Sequence, residues 1–233
     1  MINCIVDCRL TENERTSLSK LGLNIILCPK SSDAYEAISS HPDIQIFFVN
    51  YKNVIVQKYM EPEFINVLKS SGLTIHLSSK GLAHKYPHDI ILNCLKLGDL
   101  FLHNLKYTDE AVIDNLSGDI KRINVNQGYT KCSTAVVSDR AIITSDPGIC
   151  RSLIDNGIDV LYLPPGGIIL EGLDYGFIGG TCGLLDKHNM AFFGSLDRYI
   201  YGKEVKDFLK KHKIDYHYLM ESKLVDRGTL FTF

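Results

Sequence analysis

The stretch Thr134–Pro164, TAVVSDRAIITSDPGICRSLIDNGIDVLYLP, holds one complete unit of structure. An apolar triplet, AVV, is followed by the polar SDR and a second apolar run, AIIT. Short apolar runs on either side of a polar pause predict two strands joined by a tight turn. Ser145 or Asp146 offers an oxygen to the free amides of a helix start, and Pro147 suits the first helical position, where no amide is needed. GICRSLIDN then carries a helical pattern that stops at Gly157, a residue suited to the left-handed turn that ends helices. DVLYL supplies a third strand. The order is strand, strand, helix, strand.

The same order recurs on both sides. From Asp43 the chain reads IQIFFV, a turn at Tyr51–Asn53, VIVQ, the helix PEFINVLKSS stopping at Gly72, and TIHLS. From Asp89 it reads IILNCLKL, a turn at Gly98–Asp99, LFLHN, the helix TDEAVIDNLS stopping at Gly118, and IKRINV. From Gly176 it reads GFIGGTCGLL, a turn at Lys187–Asn189, MAFFG, the helix GKEVKDFLKKH and DYHYL. The N-terminus starts midway through the unit, with INCIVDC, the helix TENERTSLSKL ending at Gly22, and NIILC. DAYEAIS, between the first two units, predicts an extra short helix. The C-terminus, TLFTF, is a strand without a unit.

A closed ring accounts for both odd ends, because the last strand supplies what the first unit lacks and no sheet edge is left open around the axis. The expected fold is one α/β domain spanning 1–233, a five-bladed pseudo-fivefold propeller closed by the C-terminal strand. Its repeats fall at approximately 1–42 plus 229–233, 43–88, 89–132, 133–175 and 176–228. Each helix would lie outside the strands with its apolar stripe inward, Val112, Ile113 and Leu116 in one and Val205, Phe208 and Leu209 in another. The alternative is an open three-layer α/β sheet with the same element order.

Bulk properties exclude several classes of function. A net charge of -2 and a pI near 6.4 give no electrostatic reason to expect nucleic acid or an anionic membrane as partner. No apolar run reaches the roughly 18–20 residues that span a bilayer. MINCIVDCRLTENE lacks a basic leader with an apolar core, so a cytoplasmic location is expected. The seven cysteines are odd in number and irregularly spaced, which fits free thiols better than a disulfide framework. Cys4 and Cys8 form a lone CxxxC with no further ligands at useful spacing, so neither a metal nor any other cofactor is indicated.

The five units, together with YPHDIILN, NQGYTKCS, AIITSD and GFIGG, resemble the pentein superfamily, the α/β propellers of guanidino-group-modifying enzymes. They resemble most a mostly clostridial family assigned to that fold. The superfamily includes arginine deiminase, agmatine deiminase and dimethylarginine dimethylaminohydrolase, and also a catalytically inert ribosome anti-association factor. The resemblance implies a cysteine thiolate, following glycines, that attacks a guanidinium carbon. It also implies a histidine acting as acid and base, and carboxylates gripping the guanidinium nitrogens.

Candidate site residues follow from position in the units. Cys132 lies ten residues before Ile142 in its unit's second strand, and Cys182 lies ten before Phe192 in the next, which puts both thiols at the mouth of adjacent inner strands. Asn93 sits near the same level one unit earlier. In EGLDYGFIGGTCG, Glu171–Gly183, the resemblance makes Gly179, Gly180 and Cys182 the glycine–cysteine part and Glu171 and Asp174 the guanidinium-binding carboxylates. Gln127, Tyr129 and Lys131 form a polar–aromatic patch, and Asp146 is a helix cap or a pocket carboxylate. His103 is the candidate catalytic histidine. No His-x-acid motif is read at the matching place, since His88 and Asp89 are adjacent. Against these roles, a cysteine among apolar residues is ordinarily a small core residue, and adjacent glycines ordinarily meet a backbone demand. An unperturbed thiol is only about 3% thiolate at pH 7, so a nucleophile here needs roughly 2 kcal/mol of local help.

The leading function is a small polar ligand, guanidino- or amidino-bearing, bound on the ring axis, with cysteine-dependent hydrolysis or amidino transfer through Cys182 or Cys132. The alternatives are a binding protein that keeps the fold without chemistry, and an assembly factor.

Overall fold

The computed structural model describes residues 2–233. In chain order its elements are β1 (Ile2–Asp7), α1 (Glu12–Lys20), β2 (Leu23–Cys28), α2 (Pro42–Gln45), β3 (Ile46–Phe48), β4 (Asn53–Val56), α3 (Pro62–Ser70) and β5 (Thr74–Leu77). There follow β6 (Leu95–Leu97), β7 (Leu100–His103), α4 (Glu110–Asn115), β8 (Lys121–Asn124), β9 (Thr134–Ser138), β10 (Ala141–Thr144), α5 (Pro147–Ile154) and β11 (Asp159–Tyr162). The chain ends with β12 (Cys182–Leu184), β13 (Asn189–Phe192), α6 (Gly202–Lys211), β14 (Asp215–Tyr218) and β15 (Phe231–Thr232).

These strands form five three-stranded sheets. In each, the inner strand runs antiparallel to the second strand, and the third runs parallel to the second after the helical crossover. In the first sheet the inner strand is the C-terminal β15, which pairs Phe231 with Ile5 and Thr232 with Cys4. The two ends of the chain are tied further by paired bonds of 3.1 Å between the backbones of Asn3 and Phe233. The architecture is a closed five-bladed α/β propeller.

Strand periodicity explains why the ring closes. Side chains on a strand alternate between faces, and each second strand here feeds two different cores. Val54 and Val56 pack with Ile5 and Ile26 of the preceding blade, whereas Ile55 packs with Phe101 of the following one. Leu100 and Leu102 join Ile142, and Ala191 and Phe193 join Cys4 and Val6. The fifth core sets Ile143 against Phe192. Every core is thus an inter-blade core. A fully buried Leu or Ile contributes about 1.5–3 kcal/mol, so an unclosed end blade would forfeit one of its two cores.

Helix starts match the sequence expectation: Thr11 and Glu14 form a capping box on α1, and Asp146 caps α5 ahead of Pro147. Gly72 and Gly157 end their helices with φ of 96° and 74°. The extents differ in five places. IILNCLKL and GFIGGTCGLL are strands only over Leu95–Leu97 and Cys182–Leu184. The residues ahead of them turn across the ring instead, and their backbone is held by side chains and loops. The segment from Asp43 opens with α2 rather than a strand, because Pro42 starts a helical turn at His41. DAYEAIS contracts to a 3-10 turn at Glu36–Ile38, and α4 stops before Gly118.

Candidate functional site

At one end of the axis the segments leading into the inner strands meet. Lys131 N donates to Asn93 O at 3.2 Å, Arg227 N and Thr229 N to Gly180 O at 2.9 and 3.1 Å, and Asp43 N to Gly228 O at 3.2 Å. Lys131 Nζ reaches Thr229 Oγ1 at 2.9 Å and Gly179 O at 3.4 Å. Each blade contributes one such segment, so side chains distant in sequence converge.

Cys132 lies at the centre and is 2% exposed. Its thiol donates to Asp43 Oδ2 at 3.0 Å and accepts from Asn93 Nδ2 at 3.1 Å. Burial and the Asp43 carboxylate push this thiol well above the ordinary range, which favours the protonated form. Burial likewise pushes Asp43 up to about 6. His41 is fully buried between two carboxylates, with Nε2 3.9 Å from Asp7 Oδ2 and Nδ1 3.8 Å from Asp226 Oδ1. Neither ring nitrogen, nor Asp43 Oδ1, makes a hydrogen bond. Burial lowers the pKa of His41, with Asp226 and Asp7 acting the other way, and burial raises that of Asp226. Asp7 is buried too, which raises its pKa, but the Arg9 fork and the nearby His41 hold its carboxyl below the usual range, and the Ser40 hydroxyl donates to it at 2.7 Å.

Above this cluster opens a cavity of about 340 Å³ with His41, Cys132 and Asp226 among its lining. Its walls are Tyr35, Tyr129, Tyr175 and Phe177, with Asp174 beside them. Tyr129 lies 6.0 Å from Phe177, centroid to centroid, and its hydroxyl donates to Asp89 at 2.5 Å. An aromatic wall with carboxylates suits an organic cation, since ring faces and carboxylates both attract positive charge.

A family model described as a family of unknown function, DUF6873, matches residues 5–231. The chain belongs to that family. No curated protein matches it. Among solved structures it is similar to a dimethylarginine dimethylaminohydrolase adduct with S-methyl-L-thiocitrulline, at 10% identity and a TM-score of 0.55, over 94% of this chain and 92% of that one. It is also similar to an adduct of that enzyme with 4-chloro-2-hydroxymethylpyridine, at 11% identity and a TM-score of 0.53, over 95% and 92%. A third, DDAH from Pseudomonas aeruginosa complexed with citrulline, gives 10% identity and a TM-score of 0.49 over 93% and 91%. At such identities the likeness is one of fold, the pentein propeller of guanidino-modifying enzymes.

In this DUF6873 chain, Asn93, Cys132 and Asp174 come together at or around the cavity. Gln127 Nε2 donates to Asp146 Oδ2 at 3.2 Å while Asp146 Oδ1 caps α5, so this pair braces the turn that carries Tyr129 rather than facing the cavity. Glu171 is exposed and does not line it. Gly179 and Gly180 meet a packing demand: a Cβ on the first would strike the backbone of Lys131 and Thr134, and one on the second the Asp226 carboxylate.

Three expectations are corrected. Cys182 is not the counterpart of Cys132. It pairs with Phe192, the last residue of β13, and the equivalent pair in the preceding blade is Thr134 with Thr144. The equal spacing misleads because β10 runs two residues past Ile142. Cys182 lines a separate cleft with Lys96, Lys131, Thr229 and Phe231, and burial pushes its thiol up to about 11. His103 is not at the cavity either; its ring nitrogens pair with Thr108 Oγ1 at 2.8 Å and Gly128 O at 3.1 Å, and burial lowers its pKa to about 4. The histidine at the site is His41, and His41-Pro42-Asp43 is a His-x-acid triplet that the sequence displays plainly. No helix among the described residues is long and apolar enough to cross a membrane.

Proposed function

We propose that the axial cavity binds a small guanidino or amidino cation, and that Cys132, not Cys182, is the nucleophile of a cysteine-dependent C–N hydrolase or amidinotransferase. The observation that carries this reading is a thiol and an imidazole side by side at the floor of a cavity that also holds Asp226, Asp174 and four aromatic rings. A guanidinium carbon placed over Cys132 brings the positive charge that the thiol needs for ionisation, since a nearby opposite charge favours the anion. Asn93 Nδ2 is placed to stabilise the thiolate so formed. The proton that leaves Cys132, now directed at Asp43 Oδ2, would pass to His41, which gives it to the departing amine and later takes a proton from the attacking water. The fold likeness to dimethylarginine dimethylaminohydrolase supports the ligand class.

The test is a melting-temperature series with arginine, agmatine, N-methylated guanidines and the neutral ureas citrulline and N-methylurea, in the presence of a chelator. Mass spectrometry then looks for ureido or exchanged-amidino products. A rise specific to the cations, with product formation lost in Cys132→Ser and kept in Cys182→Ser, supports the reading. Cation binding without product leaves a binding protein. No cation-specific shift overturns both.

A further inference from the structure

We propose that His41, Asp43 and Cys132 form a binding site for a divalent transition-metal ion of the zinc type, with its fourth coordination position open to the axial cavity. The ligand atoms of these three buried side chains all lie within 4.8 Å of one another. A tetrahedral ion with bonds of about 2.0–2.3 Å holds its ligands roughly 3.5 Å apart, so little movement is required. That movement breaks almost nothing. Both nitrogens of His41 and Asp43 Oδ1 are buried without hydrogen-bond partners. Buried polar atoms are nearly always satisfied, and an unpartnered imidazole on His41 together with an unpartnered carboxylate oxygen on Asp43, two residues grouped with Cys132, point to a cation as the missing partner. One sulfur, one imidazole nitrogen and one carboxylate oxygen form a borderline-soft donor set that suits Zn²⁺ or Co²⁺ better than Mg²⁺ or Ca²⁺.

The surroundings also match a metal centre. Whichever nitrogen of His41 binds the ion, the other faces a carboxylate, Asp7 or Asp226, at 3.9 or 3.8 Å. Ligating histidines ordinarily have such an outer partner. Asn93 Nδ2 donates to Cys132 Sγ, the kind of bond that steadies a metal-bound thiolate. His41 and Cys132 both line the cavity, so a water or ligand has access to the fourth position. On binding, the Cys132 proton now shared with Asp43 leaves to solvent, and the metal–sulfur bond replaces it. An ion held this way removes Cys132 from reaction with carbon, so metal and guanidino cation would exclude each other.

This inference does not rest on the guanidino reading, because its readout needs no substrate. The full-length protein, reduced and stripped with chelator, is titrated with CoCl₂ without oxygen. A thiolate-to-cobalt charge-transfer band saturating at one ion per chain, displaced by ZnCl₂, is expected. Cys132→Ser should abolish the band, and Asp43→Asn and His41→Ala should each weaken zinc binding at least about a hundredfold, more than loss of an outer partner does. Cys182→Ser and Cys150→Ser should bind as the parent does. Because the core variants risk misfolding, alkylation of the unaltered protein followed by peptide mapping is the second readout: zinc should protect Cys132 in preference to the other six cysteines. A folded protein with no band, a band that survives Cys132→Ser, or equal protection of every cysteine overturns the site.

Discussion

Asn93 holds Cys132 by both its backbone and its side chain. Asn93 Oδ1 accepts from Cys132 N at 3.1 Å and from Lys131 N at 2.9 Å, while Nδ2 reaches Cys132 Sγ at 3.1 Å and Asp43 O at 2.9 Å. One buried amide therefore fixes the segments entering three adjacent blades. Each buried group left unpaired costs about 1–3 kcal/mol. Asn93→Ala should lower stability by roughly 3–5 kcal/mol, read as a fall in the urea midpoint at constant slope. It should also raise the alkylation rate of Cys132. A loss under about 1 kcal/mol would mean that the segments are held by something else.

Gly180 and Gly118 offer a paired test of why glycine is present. A Cβ at Gly180 would strike the Asp226 carboxylate, which itself accepts from Phe177 N at 2.8 Å and Gly228 N at 2.9 Å. At Gly118 nothing lies within 4 Å. Gly180→Ala should cost about 1–3 kcal/mol by overpacking or more, a drop of roughly 2–10 °C in melting temperature for a chain of this size. Gly118→Ala should fall within about 0.5 kcal/mol of the parent. Equal effects would refute the steric account of Gly180.

Regular alternation made the blades legible. Val54, Ile55 and Val56 read as a strand from residue type alone, and TLFTF without a unit of its own pointed to closure with β1. The site was less legible because its one local pattern, His41-Pro42-Asp43, stands at the boundary between two repeated units and nothing local ties it to Cys132. His41 and Asp43 lie between two blades, in a turn started by Pro42, and Asp226 lies in a stretch with no regular element. They reach Cys132 only through ring closure. Cys182 misled because sequence spacing cannot show where β10 ends.

Asp174 is exposed at the cavity rim, so its contribution can be separated from folding. Asp174→Asn should leave the melting temperature of the free protein unchanged. It should weaken binding of a guanidino cation roughly two- to fivefold, the size of an exposed ion pair, with the effect shrinking in high salt. Unaltered affinity in calorimetry would remove Asp174 from the site.

Phe231 closes the ring and stacks on Phe48 with centroids 5.1 Å apart. Deleting residues 230–233 uncovers the β1 edge along Cys4 and Ile5 and removes Leu230 from the core between the last and first blades. Burying one leucine contributes about 1.5–3 kcal/mol, and an unpaired edge templates association. The truncated chain should melt several degrees lower and run as dimers or larger species on gel filtration. A monomer of parental stability would show that β15 is dispensable.

His103 predicts an acid limb in the stability profile. Burial lowers its pKa to about 4 from an ordinary 6.5, so between those values the unfolded chain binds more protons than the folded one. Stability therefore rises with pH across this window: the contribution is complete above about 6.5 and is lost as pH falls towards 4. A difference of about 2.5 units corresponds to roughly 3 kcal/mol. His103→Gln keeps a side chain able to bond Thr108 and Gly128 but does not titrate there. Urea unfolding from pH 4 to 8 should show a flatter profile in the variant, with the two proteins close near neutrality and diverging most towards pH 4. Because His103 faces Thr108 and Gly128 and not the cavity, cation binding should be unchanged. An unchanged pH profile would contradict the buried neutral imidazole, and loss of cation binding would return His103 to the site.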